Sequence, residues 1–251
     1  MAGHPSTEAD SPEARLKRYL VYDEVNAPYL RWQLEQFEPY LGKRVLEVGC
    51  GVGAILAQIG SRDFVMGVDI EPQLAEFTRK RFAGQPGHEF ASLDISSVSS
   101  AKRQELKEHR FDTVVCINVL EHVDDHVGAV ATMAELLVPG GVLALLVPAH
   151  PSLFGPYDVT DGHFRRYTKA TLQEVLVAAN LAVEQLYHFN SIGAVGWWVQ
   201  YRLMRRNNQT KSDYKLMQML VPMLKAVERR VKPPVGMSLV AVARKPTEPG
   251  G

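Results

Sequence analysis

The sequence predicts an α/β fold: a doubly wound, mostly parallel sheet of seven strands with helices on both faces. Between residues 44 and 148, short apolar runs alternate with segments of helical pattern, and strands joined by helices form parallel sheets. The runs are apolar at successive positions, as strands covered on both faces are. The first run ends in a glycine-rich turn, which is where such sheets bind ligands.

This pattern predicts the bounds of each strand and helix. The strands are predicted over residues 44–48, 64–69, 89–93, 112–117, 142–147, 182–189 and 238–243. The helices between them are predicted over residues 53–59, 72–82, 99–109, 125–138 and 169–179. Residues 1–12 are predicted to be a flexible tail before one domain, 13–251. Residues 13–40 are predicted to form two lid helices with a break near Pro28, because proline interrupts helical hydrogen bonding.

Composition limits the class of protein. The 251 residues are 46% hydrophobic and 22% charged, with 28 basic and 28 acidic side chains. These values are typical of a globular domain and argue against a nucleic-acid-coating protein, which carries excess positive charge. The N-terminus lacks the order of a secretory signal, and the two cysteines are too few for a disulfide framework. We therefore expect a cytoplasmic protein.

Acidic residues end three successive strands, and the first of these strands runs into the glycine turn. The first strand ends in Glu47-Val48-Gly49-Cys50-Gly51-Val52-Gly53, and Asp69 and Asp94 end the next two. Glycines let a ligand approach the main chain at a helix N-terminus. A carboxylate about 20 residues further on can accept hydrogen bonds from a ribose. The set predicts a nucleoside site.

These motifs make the chain resemble the class I S-adenosylmethionine-dependent methyltransferases. The matching segments are 45–53, 67–69, 92–95, 111–112, 118–122 and 137–141. The resemblance implies a Rossmann-like fold, S-adenosylmethionine as cofactor with S-adenosylhomocysteine as product, and methylation of a small molecule, first at oxygen, with nitrogen or carbon as alternatives. It implies cofactor contacts from Glu47, Gly49, Gly51, Gly53, Asp69, Ile70, Asp94, Ile95, Asn118, Val119 and, on the lid, Tyr22.

An NAD(P)-dependent Rossmann oxidoreductase is the alternative interpretation of the same turn. Residues 49–54 also fit the looser dinucleotide pattern G-x-G-x-x-A. Three features favour the methyltransferase: the acid before the glycines, the Leu-Glu-His segment that ends at His122, and the Pro-Gly-Gly segment that ends at Gly141.

The loop over residues 150–166 is long for a connection, and long loops commonly carry function. It leads into a Gly-His-Phe-Arg-Arg-Tyr-Thr segment, which is similar to one in a bacterial small-molecule subgroup of these methyltransferases. A hydroxyl acceptor needs a base, and the predicted catalytic residues are His163, His150 and Tyr157. No metal is expected, because no ligand cluster of the usual spacing is present.

The predicted acceptor-binding residues are His122, Arg165, Arg166, Tyr167 and Trp198. For the two arginines, ion pairing with Asp158 or Asp161 is the alternative. The loop belongs to a predicted acceptor-binding cap over residues 149–235, in which residues 198–232 hold nine basic and two acidic side chains. This excess predicts an acidic or lipid-like acceptor, or peripheral contact with an anionic membrane, with a solvated helix face as the alternative.

Overall fold

The computed structural model describes residues 12–191, 193, 211–228, 230 and 233–247. The strands are β1 (Arg44–Val48), β2 (Phe64–Asp69), β3 (His88–Ser92), β4 (Phe111–Ile117), β5 (Leu137–Pro148), β6 (Ala182–Phe189) and β7 (Ser238–Arg244). The described α-helices are α1 (Pro12–Leu34), α2 (Leu56–Ile59), α3 (Pro72–Arg81), α4 (Ser100–Lys107), α5 (His126–Leu136), α6 (Pro156–Thr160), α7 (Lys169–Ala178) and α8 (Lys211–Glu228). Short 3₁₀ turns cover Glu38–Tyr40, Leu120–His122 and Pro151–Leu153.

The seven strands form one sheet in the order β3-β2-β1-β4-β5-β7-β6. Strand β7 runs antiparallel to both neighbours, and the other pairs are parallel, which confirms the predicted fold class. The chain builds outward from β1 to β3 and then returns to add β4 on the other side of β1. This reversal opens a crevice at the carboxyl ends of β1 and β4, the place where open α/β sheets bind ligands.

The sheet lies between two hydrophobic layers. Every residue of β2 is buried, and side chains of β1 alternate between the layers, with Leu46 in one and Val45 in the other. Fully buried side chains such as Phe111 and Leu143 each contribute about 2 kcal/mol through removal of apolar surface from water. The rigid sheet therefore fixes the positions of the residues at its rim.

The predicted break near Pro28 is wrong, because α1 is one helix with Pro28 inside it. A proline in a helix interior costs about 3 kcal/mol. Burial on the sheet offsets this cost, since Tyr29, Leu30 and Trp32 follow directly and are buried. The ring of Trp32 packs on Phe189 with centroids 4.3 Å apart.

Helix α8 packs on α1 and is fixed there by polar contacts. Its Val221 and Leu224 are buried, and Lys225 Nζ lies 2.6 Å from Glu35 Oε1. Glu228 accepts hydrogen bonds from the backbone N–H groups of Asn190 and Ser191. Among the described residues, none of the helices combines the length and the hydropathy that crossing a bilayer requires.

Candidate active site

The glycine turn after β1 adopts backbone conformations that favour glycine. Gly49, Gly51 and Gly53 have φ angles of 73°, 53° and 79°, which residues with a Cβ rarely adopt. A Cβ on Gly49 would lie 2.2 Å from Val119 Cγ2, and one on Gly53 would lie 2.6 Å from Phe82 Cε2. These conformations are not helical, so α2 begins at Leu56 and not at the predicted start, Gly53.

Asp69 is buried and ties the end of β2 to the turn. Its Oδ2 accepts a hydrogen bond from Gly51 N–H at 2.8 Å, and its Oδ1 accepts one from Glu71 N–H at 2.9 Å. Burial raises the pKa of Asp69, although these two backbone hydrogen bonds oppose the shift. The carboxylate therefore lies at the turn, where the predicted ribose contact requires it.

Glu47 lies one strand away from Asp69 and is only 3% exposed. No described residue donates a hydrogen bond to its Oε2. Burial, and then repulsion from the Asp69 charge, raises the pKa of Glu47 well above that of an ordinary glutamate. A buried carboxyl oxygen without a partner is stabilised by a cation or a donor that arrives from outside the chain.

Asp94 follows β3 and is held by its own loop. Its Oδ1 accepts hydrogen bonds from the backbone and hydroxyl of Ser96 at 2.9 and 2.7 Å, and its Oδ2 accepts one from the Ser97 hydroxyl at 3.0 Å. Burial would raise the pKa of Asp94, but these hydrogen bonds outweigh it and the pKa falls. Of the neighbouring predicted contacts, Ile95 is buried and Ile70 is exposed.

The segment after β4 faces the glycine turn across the crevice. Asn118 has a φ angle of 53°, and its N–H donates to the Leu146 carbonyl at 2.8 Å. This left-handed residue turns the chain so that Val119 lies against Gly49. The predicted contacts at Asn118 and Val119 thus share one crevice with the turn.

Helix α1 covers the glycine turn. The Tyr19 ring would lie 3.7 Å from a Cβ on Gly51, whereas Trp32 is buried in the core. The predicted lid contact Tyr22 is half-buried and packs on the hydrophobic layer below α1. Of these three aromatic residues, Tyr19 is therefore the one that lies beside Gly51.

Helix α3 supplies contacts to the turn that the sequence analysis did not identify. Thr78 donates its hydroxyl to the Gly51 carbonyl at 2.7 Å. Arg81 Nη1 donates to the Val52 carbonyl at 2.8 Å and to Asp23 Oδ2 of α1 at 2.6 Å. The spacing of residues 74, 78 and 81 could have indicated these contacts, because residues three or four apart lie on one face of a helix.

His163 is held between two carboxylates. Its Nδ1 lies 2.8 Å from Asp158 Oδ1, and its Nε2 lies 3.3 Å from Asp161 Oδ2. Burial lowers the pKa of His163, but the two carboxylates outweigh it and raise the pKa to about 9. The ring is therefore protonated at neutral pH, and neither nitrogen is open to take a proton. In this geometry His163 is a fixed cation, not the base that the sequence analysis expected.

The Gly-His-Phe-Arg-Arg-Tyr segment joins the acceptor loop to the end of β4. Arg165 donates to the carbonyls of Val123 and Asp124 at 2.5 and 3.0 Å. Arg166 is buried and donates from Nε to Asp158 Oδ1 at 2.7 Å.

Tyr167 is also buried, and its hydroxyl donates to the Leu120 carbonyl at 3.2 Å. These contacts correct the expectation that Arg165, Arg166 and Tyr167 face an acceptor. Their polar groups bind the protein's own backbone and Asp158, which supports the ion-pair alternative for Arg166.

His122, a predicted acceptor-binding residue, and Tyr157, a predicted catalytic residue, both lie near His163. The ring centroids of His122 and Tyr157 lie 4.6 and 6.4 Å from that of His163. Partial burial, and then the His163 charge, lowers the pKa of His122. His150 has a φ angle of 62° and stacks on His188, with centroids 5.0 Å apart. No described residue is hydrogen-bonded to His150 Nε2.

Glu121 is a buried acid that the sequence analysis missed. Burial raises its pKa to about 7, and the His163 charge opposes the shift. Glu121, His122 and His163 each offer one ligand atom, and these atoms lie within 4.8 Å of one another, close enough for a divalent ion. The sequence analysis did not identify this cluster, because His163 is far from Glu121 and His122 along the chain. The expectation of no metal stays a prediction.

Two predictions concern residues that lie wholly or partly outside the part of the chain that the structure describes. The predicted acceptor contact Trp198 lies outside it. The basic segment 198–232 is described only over 211–228 and at residue 230.

Comparison with known proteins agrees with this fold. Residues 46–143 match the family model of a methyltransferase domain. A ubiquinone biosynthesis O-methyltransferase of Thiobacillus denitrificans is 37% identical over 120 residues, which are 47% of this chain and 49% of the relative. The chain thus spans about half the length of the curated relatives that it matches.

Solved structures share the fold over most of the chain. A complex of the Haloferax volcanii Trm112 methyltransferase activator with a methyltransferase includes a chain with a TM-score of 0.62 and 16% identity, covering 98% of this chain and 100% of that one. The phosphoethanolamine N-methyltransferase 2 of Haemonchus contortus, solved with S-adenosyl-L-methionine, has a TM-score of 0.64 and 15% identity, covering 95% of this chain and 59% of that one. Residues 46–143 thus match a methyltransferase domain, and these solved structures share the fold of the chain.

Proposed function

We propose that the chain transfers the methyl group of S-adenosylmethionine to a small-molecule acceptor, with oxygen as the favoured atom. The pair of buried acids around the glycine turn carries this proposal. Glu47 has an oxygen without a partner, and Asp69 is bonded to the turn itself. The name of the Thiobacillus relative, an O-methyltransferase, supports oxygen as the acceptor atom.

The residues present fit this cofactor. Glu47 has a raised pKa and an Oε2 atom without a hydrogen-bond partner. The positively charged methionyl part of the cofactor would stabilise its ionised carboxylate. Asp69 would hold the ribose, and Asp94 with Ile95 the adenine, while Asn118 and Val119 close the opposite side of the crevice. When bound, the cofactor supplies an electrophilic methyl group on a sulfonium.

The acceptor side of the site needs a neutral base if the acceptor is a hydroxyl group. His122 meets this requirement, because its pKa is lowered and its side chain reaches solvent. His163 beside it is a positioning residue: its two carboxylate partners fix the loop, and its charge adds to the lowering of the His122 pKa by burial. Tyr157 and His150 complete the proposed acceptor pocket.

The proposed partner is therefore a small molecule and not a nucleic acid. We also propose a cytoplasmic location. Cys50 and Cys116 are buried and unpaired, as in proteins of reducing compartments.

Ligand-induced thermal stabilisation tests the cofactor class. We expect S-adenosylhomocysteine at a hundredfold excess over its Kd to raise the Tm by about 5 °C or more, and NAD and NADP to leave it unchanged. Incubation with methyl-labelled S-adenosylmethionine and a panel of phenols, catechols and amines then tests the acceptor atom. Stabilisation by NAD alone would overturn the proposal in favour of an oxidoreductase, and labelling only of amines would overturn the assignment to oxygen.

A further inference from the structure

Helix α8 turns an apolar stripe toward solvent. Met219, Met223 and Val227 are 79%, 52% and 57% exposed. A spacing of four residues places them next to one another along one helix face. Large exposed apolar side chains that are contiguous in this way mark interaction surfaces, whereas single ones are ordinary. We name these three residues the α8 ridge.

The ridge is not a result of loose packing. The opposite face of α8 is seated on α1 through Val221 and Leu224, which are buried. Lys225 pairs with Glu35, and the buried Glu228 accepts three hydrogen bonds from Asn190 and Ser191. Over this part of α8 both faces are therefore apolar, one buried on α1 and one exposed, whereas a surface helix of a globular domain turns a polar face to solvent.

The composition of the segment that contains the ridge favours an anionic partner. Residues 211–232 contain six basic and two acidic side chains. Glu228 and Lys225 are engaged within the protein, which leaves five basic side chains and one acidic side chain in this segment. Arg230 is exposed at the end of α8, so that basic charge accompanies apolar surface, the combination that binds lipid interfaces.

We propose that the α8 ridge docks on an anionic lipid bilayer. The three residues lie along one exposed helix face, and a fluid interface accepts such a face without the complementary groove that a protein partner would have to supply. Docking would bring the lid to the membrane surface, because α8 packs on α1 and α1 carries Tyr19 over the glycine turn. An amphiphilic acceptor could then enter from the lipid. This last step rests on the proposed function, whereas docking itself does not.

Co-sedimentation of the full chain with vesicles tests the proposal without any activity readout. We expect binding to phosphatidylglycerol-containing vesicles, weak binding to pure phosphatidylcholine, and loss of binding at high salt. The double variant Met219→Ser/Met223→Ser should bind at least about tenfold more weakly, since two apolar anchors are lost. Val177→Ser is the matched control, because Val177 is exposed on α7, which belongs to the other face of the sheet.

Far-ultraviolet circular dichroism and an unchanged Tm would confirm that the variants fold. Failure of the wild-type chain to sediment with anionic vesicles would overturn the proposal, as would equal binding by the double variant. A dimer in light scattering that the double variant abolishes would overturn it in favour of a second copy as the occupant. Donor binding by a chain that fails to dock would show that the proposed function stands without the membrane.

Discussion

Arg81 of α3 and Asp23 of α1 form an ion pair of 2.6 Å beside the glycine turn. The same guanidinium donates to the Val52 carbonyl inside the turn. One side chain therefore joins the lid helix to the backbone that is predicted to hold the cofactor. Because the pair joins the lid helix to the turn, we expect its strength to affect exchange of the cofactor.

We predict that Arg81→Gln speeds dissociation of S-adenosylhomocysteine about threefold to fivefold. The pair is partly exposed, and such pairs contribute about 0.5–1 kcal/mol. Stopped-flow displacement measures the rate. Arg79→Gln is the control, because Arg79 pairs with Glu76 on the outer face of the same helix. Equal effects of the two variants would show that the link to Asp23 has no role in retention.

A second prediction concerns Asp69, which holds the turn through Gly51. Asp69→Asn keeps the shape of the side chain but loses the charge and one of two acceptor oxygens. We expect cofactor affinity to fall about tenfold to a hundredfold, as for loss of a hydrogen bond to a charged group. Calorimetry measures the Kd, and Asp112→Asn, at the opposite end of the sheet, should leave it unchanged. Unchanged affinity in Asp69→Asn would remove Asp69 from the site.

Stability should depend on pH through His163. Its pKa rises from about 6.5 in the unfolded chain to about 9 in the folded protein, so its stabilisation is complete below pH 6.5 and is lost as the pH rises through 9. The difference in free energy of unfolding between wild type and His163→Gln should therefore shrink by up to about 3 kcal/mol over this range. Urea unfolding at several pH values measures it. A constant difference would mean that His163 is not charged in the folded state.

Chelation tests the cluster of Glu121, His122 and His163. A protonated imidazole does not bind metal, and His163 is held protonated by Asp158 and Asp161. We therefore expect protein dialysed against EDTA to transfer methyl groups at the original rate. Loss of turnover that Mn²⁺ or Zn²⁺ restores would instead assign a metal to this cluster.

Much of the fold was predictable, because buried strands show as apolar runs with sharp ends. The predicted bounds of β1, β2 and β6 match the structure. Strand β5 begins earlier than predicted, at Leu137. The Pro-Gly-Gly segment suggested a break, but Gly140 N–H pairs with the Lys245 carbonyl, and a contact across more than a hundred residues leaves no local signal.

The cofactor side of the site was predictable for a similar reason. Glu47 and Asp69 end adjacent strands, so strand order alone brings them together. The acceptor side was not predictable, because its groups meet through loop contacts. Arg165 binds carbonyls of residues 123 and 124, and nothing in a Gly-His-Phe-Arg-Arg-Tyr segment distinguishes an arginine that binds backbone from one that binds an acceptor.

The most direct test is a crystal structure of the protein soaked with S-adenosylhomocysteine. We expect electron density in the crevice between the glycine turn and Asn118, with the ribose hydroxyls on Asp69 and the amino group near Glu47. Density at another place, or none from a ligand-saturated crystal with an accessible crevice, would contradict the assignment of this rim as the cofactor site.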